Sequence, residues 1–183
     1  LPRDGVAVRE VPGGCLCCVA SAAFGVGLVR LIRESRPTRL LIEPSGIGHP
    51  TQVIAQLTGG ELARALDLRA SLALVDARKL GDPRYREHPA FADQLEMADV
   101  LVANKEDLYS DADRERFADL ARGFDPPKQA LWVTSGGQVP ARLLDLPRLE
   151  RSARFPHAHA GQGHAGHDHG ERERCPPGAG DWL

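Results

Sequence analysis

Three of the chain's four cysteines, Cys15, Cys17 and Cys18, fall within four positions, directly after the turn sequence Pro12-Gly13-Gly14. Residues this close rarely bridge one another, because a disulfide needs separated backbones and facing side chains. Converging thiolates are instead a soft donor set suited to zinc or cuprous copper. The plainer alternative is a cluster of free cysteines packed as small apolar side chains. If a strand runs up to Cys17, Cys15 and Cys17 share a face. Cys18 then turns toward the next helix, whose N-terminus favours the thiolate a metal requires. Three thiolates leave tetrahedral zinc one ligand short, and an open position suits a site that hands its metal on.

A second donor set lies near the far end. His157, His159, His164, His167 and His169 are separated mostly by Gly and Ala, with no apolar periodicity. Their His-x-His and His-x-x-His pairs could hold zinc, nickel or cobalt, or the segment is simply a solvated linker.

Other polar clusters follow apolar runs. Asn104-Lys105-Glu106-Asp107 comes directly after Val100-Leu101-Val102-Ala103 and fits the Asn-Lys-x-Asp guanine loop of P-loop GTPases. A carboxylate at Asp107 would accept from the N1 and exocyclic N2 hydrogens of guanine, a pair that adenine does not present. Asn104 would fix the loop and the Lys105 stem would cover the ring. A helix-start turn with a capping Asn or Asp is the structural alternative. Glu43-Pro44-Ser45-Gly46 also ends an apolar run. Glu43 would hold a Mg²⁺ water at a triphosphate, and the Gly46 N–H would approach a γ-phosphate, although Pro and Gly punctuate ordinary turns too. Ser135-Gly136-Gly137 could close over the base through backbone groups. Asp76 is expected to cap or anchor.

The elements that would position these residues alternate. Strands are expected over residues 6–11, 39–43, 71–75, 100–103 and 130–133. Helical pattern is expected over 19–35, 51–66 with an interruption at Gly59-Gly60, 90–98, 111–122 with Asp111 as N-cap, and 139–146. Strands alternating with helices imply crossovers and a parallel sheet, hence a three-layer α/β domain. In such sheets ligands bind at the carboxyl ends of the strands, where these polar clusters fall.

The bulk numbers narrow the function. The chain has 183 residues, 42% hydrophobic and 26% charged, with net charge −2. That accommodates one domain with a real core plus a tail, here 1–150 and 151–183. The balance argues against a nucleic-acid partner. No stretch approaches the roughly 20 apolar residues of a membrane span, so no membrane partner is expected. Cysteines grouped three plus one do not form a disulfide framework, which points to a reducing cytoplasm.

Taken together, Gly-Gly-Cys-Leu-Cys-Cys, Ile-Glu-Pro-Ser-Gly-Ile-Gly-His-Pro, Ala-Asp-Val-Leu-Val-Ala-Asn-Lys-Glu-Asp-Leu and a His-rich linker resemble the CobW-like GTPases, relatives of UreG and HypB. The resemblance covers roughly residues 6 to 170. It implies a P-loop NTPase-type domain using GTP and Mg²⁺. Such a GTPase would hydrolyse GTP and chaperone a divalent transition metal (Zn²⁺, or Co²⁺ or Ni²⁺) to a client protein. Cys15, Cys17 and Cys18 would carry the metal, Glu43 and Gly46 would serve the catalytic phosphate end, and Asn104, Lys105, Asp107 and Ser135 would hold the base. A homodimer is a candidate assembly. The family's Gly-x-x-x-x-Gly-Lys-Ser/Thr loop does not occur in this sequence. The chain is accordingly expected to be an internal piece of a longer GTPase, inactive alone, or a metal-binding module that has lost nucleotide hydrolysis.

Overall fold

The computed structural model describes residues 6–10, 22–44 and 50–150. Within them the central element is a fully apolar strand. Val100, Leu101, Val102 and Ala103 are all completely buried, as expected of a strand covered on both faces. This strand, β2 (Val100–Asn104), lies between β1 (Leu72–Val75) and β3 (Ala130–Thr134), all parallel, in the order β1-β2-β3. The α/β class and the parallel sheet are as the alternating pattern predicts.

Nine further segments, six α-helices and three 3-10 turns, complete the elements of the described residues. Helix α1 spans Ala22–Ser35, α2 Pro50–Leu57 and the short α3 Leu62–Ala65. A 3-10 turn at Ala77–Gly81, then α4 (Pro83–Arg86) and α5 (Pro89–Met97), carry the chain from β1 to β2. A 3-10 turn at Glu106–Leu108 and α6 (Asp111–Arg122) lead to β3. No helix among the described residues is long and apolar enough to cross a membrane.

The strand register sorts the side chains by face. Ala73, Val75, Leu101 and Ala103 lie on one face, under α5, α6 and the 77–81 turn, with Leu80, Phe91, Leu95 and Phe117 closing the core. Val100, Val102, Leu72 and Trp132 lie on the other, covered by Leu143, Val139 and Leu146. That second cover is a 3-10 turn at Ala141–Leu144 with its flanks, not the full helix expected over 139–146.

A third cluster joins Leu28 of α1, Val53 and Leu57 of α2, and the extended residues Leu40 and Ile42. Residues 40–42 alternate inward and outward, with Leu41 between the two inward side chains 72% exposed, but residues 38–44 pair with no strand among the described residues. Residues 6–10 are likewise exposed and form no ladder with another described strand, although Arg9 Nη2 donates to Glu34 Oε2 at 2.7 Å. The expected strands 39–43 and 6–11 are thus not formed in the described residues. Apolar alternation makes a segment extendable, but a ladder requires a neighbour whose N–H and C=O groups are free to pair. The helical region 51–66 divides at Gly60, whose φ of 57 lies in the left-handed region that glycine adopts without a Cβ penalty.

A strap runs along the amino ends of the strands. The Asp99 carboxylate, with no exposed area, accepts from Ser71 N at 2.9 Å, from Ser71 Oγ at 3.1 Å and from Leu149 N at 3.0 Å. Ala70 N donates to Leu146 O at 2.9 Å, and Gln129 Nε2 donates to Pro147 O at 2.7 Å. Residues 146–149 are thereby fastened beneath all three strands.

Candidate functional site

At the opposite, carboxyl end of the sheet the register sets three loops side by side. Val75 pairs with Ala103, and Asn104 with Thr134. Asp76 is consequently level with Asn104, and Ser135 level with Lys105.

The central loop is shaped by its backbone. Lys105 has φ 69 and ψ 37, the left-handed region that non-glycine residues seldom occupy. This bend takes the chain out of β2 and straight into the 106–108 turn, so that Asn104 and Asp107 serve the same side of one short loop. Such a cost is stable only when surrounding bonds over-determine it, and here they do. Asn104 Oδ1 accepts from Gly137 N at 3.0 Å, and Asp107 N donates to Ser135 Oγ at 3.2 Å. The two loops are joined by a side chain from each direction.

The 135–137 loop is itself held. Gly136 and Gly137 have φ of 66 and 71, so any Cβ there would be strained, although space is open around both. Thr134 Oγ1 donates toward Gln138 O at 2.9 Å, and Trp132 Nε1 donates to the same carbonyl at 2.9 Å.

Tyr109 ties the central loop to β1. Its hydroxyl accepts from Ala77 N at 3.0 Å and faces the carbonyl oxygens of Asn104 and of Val75. Packing against the core pushes the phenol's pKa up, so it stays a donor.

Asp76 completes the β1 side. Its carboxylate caps the 77–81 turn through Arg78 N and receives Arg78 Nε at 2.9 Å and Nη2 at 2.7 Å. Lys105 Nζ reaches it at 3.4 Å. The hydrogen bond from Arg78 is the main reason the Asp76 pKa falls to about 2, so the group is anionic throughout the physiological range.

What remains open is as informative as what is bonded. The Asp107 carboxylate is exposed and makes no hydrogen bond or ion pair with the other described residues. Its backbone N–H is fastened to Ser135 Oγ at 3.2 Å, which leaves the carboxylate with a pair of acceptor oxygens unused by the other described residues. That set can receive two N–H donors on one edge of a planar heterocycle.

Asn104, Lys105, Asp107 and Ser135 are therefore brought together. Glu43 ends the extended segment, exposed, with no bond to another described residue. Gly46, Cys15, Cys17, Cys18 and the histidines 157, 159, 164, 167 and 169 lie outside the described residues. No cluster of three metal-ligating side chains occurs among the described residues. Sequence reading missed Tyr109, a lone aromatic with no motif around it, and the pairing of Asp76 with Lys105. The signal for the second is the parallel register, which sets Asp76 level with Asn104 and so beside Lys105.

The chain matches the family described as CobW/HypB/UreG, nucleotide-binding domain, over residues 1–131. It is 38% identical over 164 residues to zinc chaperone YeiR of Escherichia coli (strain K12), covering 87% of this chain and 50% of that protein. It is 26% identical over 159 residues to zinc chaperone CobW of Sinorhizobium sp, covering 75% and 45%. It is 25% identical over 162 residues to zinc-regulated GTPase metalloprotein activator 1 of Dictyostelium discoideum, covering 70% and 32%. The chain thus spans half or less of the length of these relatives. No solved structure gives a significant match.

Proposed function

The chain belongs to the CobW/HypB/UreG nucleotide-binding family, and we propose that it supplies guanine recognition and metal carriage to a GTP-hydrolysing metal chaperone. The observation that carries the nucleotide half is the bond from Gly137 N to Asn104 Oδ1 beside the unengaged carboxylate of Asp107. It pre-organises a slot whose acceptor pair matches the N1 and N2 hydrogens of guanine. Asn104 and Ser135 hold the slot, and Lys105 covers one face of the base.

Three relatives are named for zinc, which makes zinc the first cargo to test, with cobalt and nickel behind it. In this reading Cys15, Cys17 and Cys18 bind the cargo, and the histidines between His157 and His169 form an auxiliary capture segment. Glu43 and Gly46 serve Mg²⁺ and the γ-phosphate. GTP hydrolysis is proposed for the whole protein, because the Gly-x-x-x-x-Gly-Lys-Ser/Thr loop that grips a triphosphate does not occur in this sequence. The division into a GTPase domain over 1–150 and a tail over 151–183, delivery to a metal-requiring client in the cytoplasm, and a homodimeric assembly belong to the same proposal.

Exchanging one carboxylate oxygen for an amide tests it. Asp107→Asn turns an acceptor into a donor, so binding should move from guanine toward xanthine, which presents an oxygen where guanine has its amino group. Calorimetric titration with GDP and xanthosine diphosphate should show the preference reversed. An unaltered preference would overturn the guanine slot.

A further inference from the structure

Strand order gives the slot two flanks. On the β3 side stand Ser135, Gly136 and Gly137, joined to Asn104 and Asp107. On the β1 side stands Lys105, whose backbone belongs to the end of β2 but whose ammonium lies at the end of β1, 3.4 Å from Asp76 Oδ2. The lysine stem therefore bridges two strand ends, along the flank where a base would meet it.

We propose that Asp76 is a positioning residue for the nucleotide: it holds Lys105 stretched across the strand ends so that the stem forms the β1-side wall of the base slot. The proposal rests on the guanine reading above. A free lysine loses considerable rotamer entropy when it is ordered against a ligand. An ion pair already made in the unliganded protein removes part of that cost, which is how pre-organisation raises affinity.

Geometry favours Asp76 as the anchor. Its side chain is only 15% exposed, whereas Lys105 is 56% exposed. Arg78 grips the carboxylate at both oxygens, at 2.9 and 2.7 Å, and Arg78 N caps the same group at 3.2 Å. The anchor is thus fixed and the lysine is the moving part. A pair this exposed contributes little to stability, so the effect of losing the Lys105 contact should appear in binding and not in folding.

The wall touches the ring's face and not its hydrogen-bonding edge. Loss of the anchor should therefore weaken every purine nucleotide alike, in contrast to Asp107, which sets the choice among them.

A double-mutant cycle on the purified protein tests this, with GDP, inosine diphosphate and xanthosine diphosphate as titrants and thermal melts as a check on folding. Asp76→Asn, which keeps the side chain's size, should raise all three dissociation constants by roughly fivefold at a temperature where the melts show the variant still fully folded, the lost Arg78 pair lowering the melting temperature without altering that ratio. Lys105→Ala should do at least as much. In the Lys105→Ala background, Asp76→Asn should add nothing. A full additional loss in that background would mean that Asp76 acts on the nucleotide by another route, and the proposal falls. It falls equally if Lys105→Ala weakens binding and Asp76→Asn does not. If neither Lys105→Ala nor Asp107→Asn alters purine binding, the slot itself has been misassigned, and the anchor goes with it. Asp76→Glu, which restores the charge, should recover part of the affinity.

Discussion

The Tyr109 hydroxyl does three jobs with one oxygen: it accepts from Ala77 N at 3.0 Å and faces the carbonyls of Val75 and Asn104. Tyr109→Phe leaves that N–H and those carbonyls without their partner while keeping the ring's packing. It should cost about 1–3 kcal/mol of unfolding free energy and loosen the Asn104 loop. Chemical denaturation and GDP titration should record both, and an unchanged affinity would separate Tyr109 from the slot. Asp76 and Asp113 carry a pH signature. Arg78 lowers Asp76 and Ser110 lowers Asp113, each from 3.8 to about 2. A carboxylate depressed in the folded state contributes stability that is complete above its unfolded value and is lost as pH falls through the folded value. Stability should therefore decline between about pH 4 and 2. Asp113→Asn should flatten that acid limb in melts taken across the range; an unaltered slope would remove Asp113 from the account.

The capping box of α6 shows where sequence patterns stop. Helix α6 was predictable over its full length, but Asp111 is its first residue and not its cap. Ser110 Oγ accepts from Asp113 N at 3.3 Å, and Asp113 Oδ2 accepts from Ser110 N at 2.9 Å. The reciprocal pair places the helix start one residue earlier than an Asp-at-N-cap rule does. Ser110→Ala should cost about 1 kcal/mol, visible as a lower melting temperature with binding unaffected. Strand β2 could be read because a strand buried on both faces is a continuous apolar run, as Val100–Ala103 demonstrates; β1 and β3 were legible as apolar runs too, although Leu74, Leu131 and Val133 are exposed. The segments at 6–10 and 38–44 could not, because pairing depends on a neighbour and one strand's pattern does not contain it. The same limit hid Lys128. Its ammonium donates to the carbonyls of Leu95, Glu96 and Ala98 at 2.5, 2.9 and 2.8 Å and sits 3.9 Å above the Phe124 ring. A lysine thirty residues away thus closes the end of α5, and nothing near it in the chain announces that. The base loop was readable for the opposite reason: four consecutive residues, Asn104 to Asp107, carry its chemistry, while the Gly137 N–H that fixes it is backbone.

At the scale of the molecule, the sheet has two poles. The proposed guanine slot lies at one, and the Asp99 strap holds the other. The proposed metal ligands lie outside the described residues and are tested by metal alone. Cys17→Ala with Cys18→Ala should abolish tight zinc binding in a competition titration, and undiminished affinity would remove the thiol site. Deleting 156–170 should lower the number of zinc ions bound per chain more than the affinity of the tight site; an unchanged stoichiometry would leave that segment a plain linker. The strap also fixes a distance. Leu149 is pinned to Asp99 beneath the strands at 3.0 Å, whereas Asn104 stands at their carboxyl ends. A five-residue strand such as β2 is about 17 Å long. The two ends of the sheet are thus separated by a rigid, fully buried run of side chains, and a substitution in the strap leaves the Asn104 loop untouched unless β2 itself gives way.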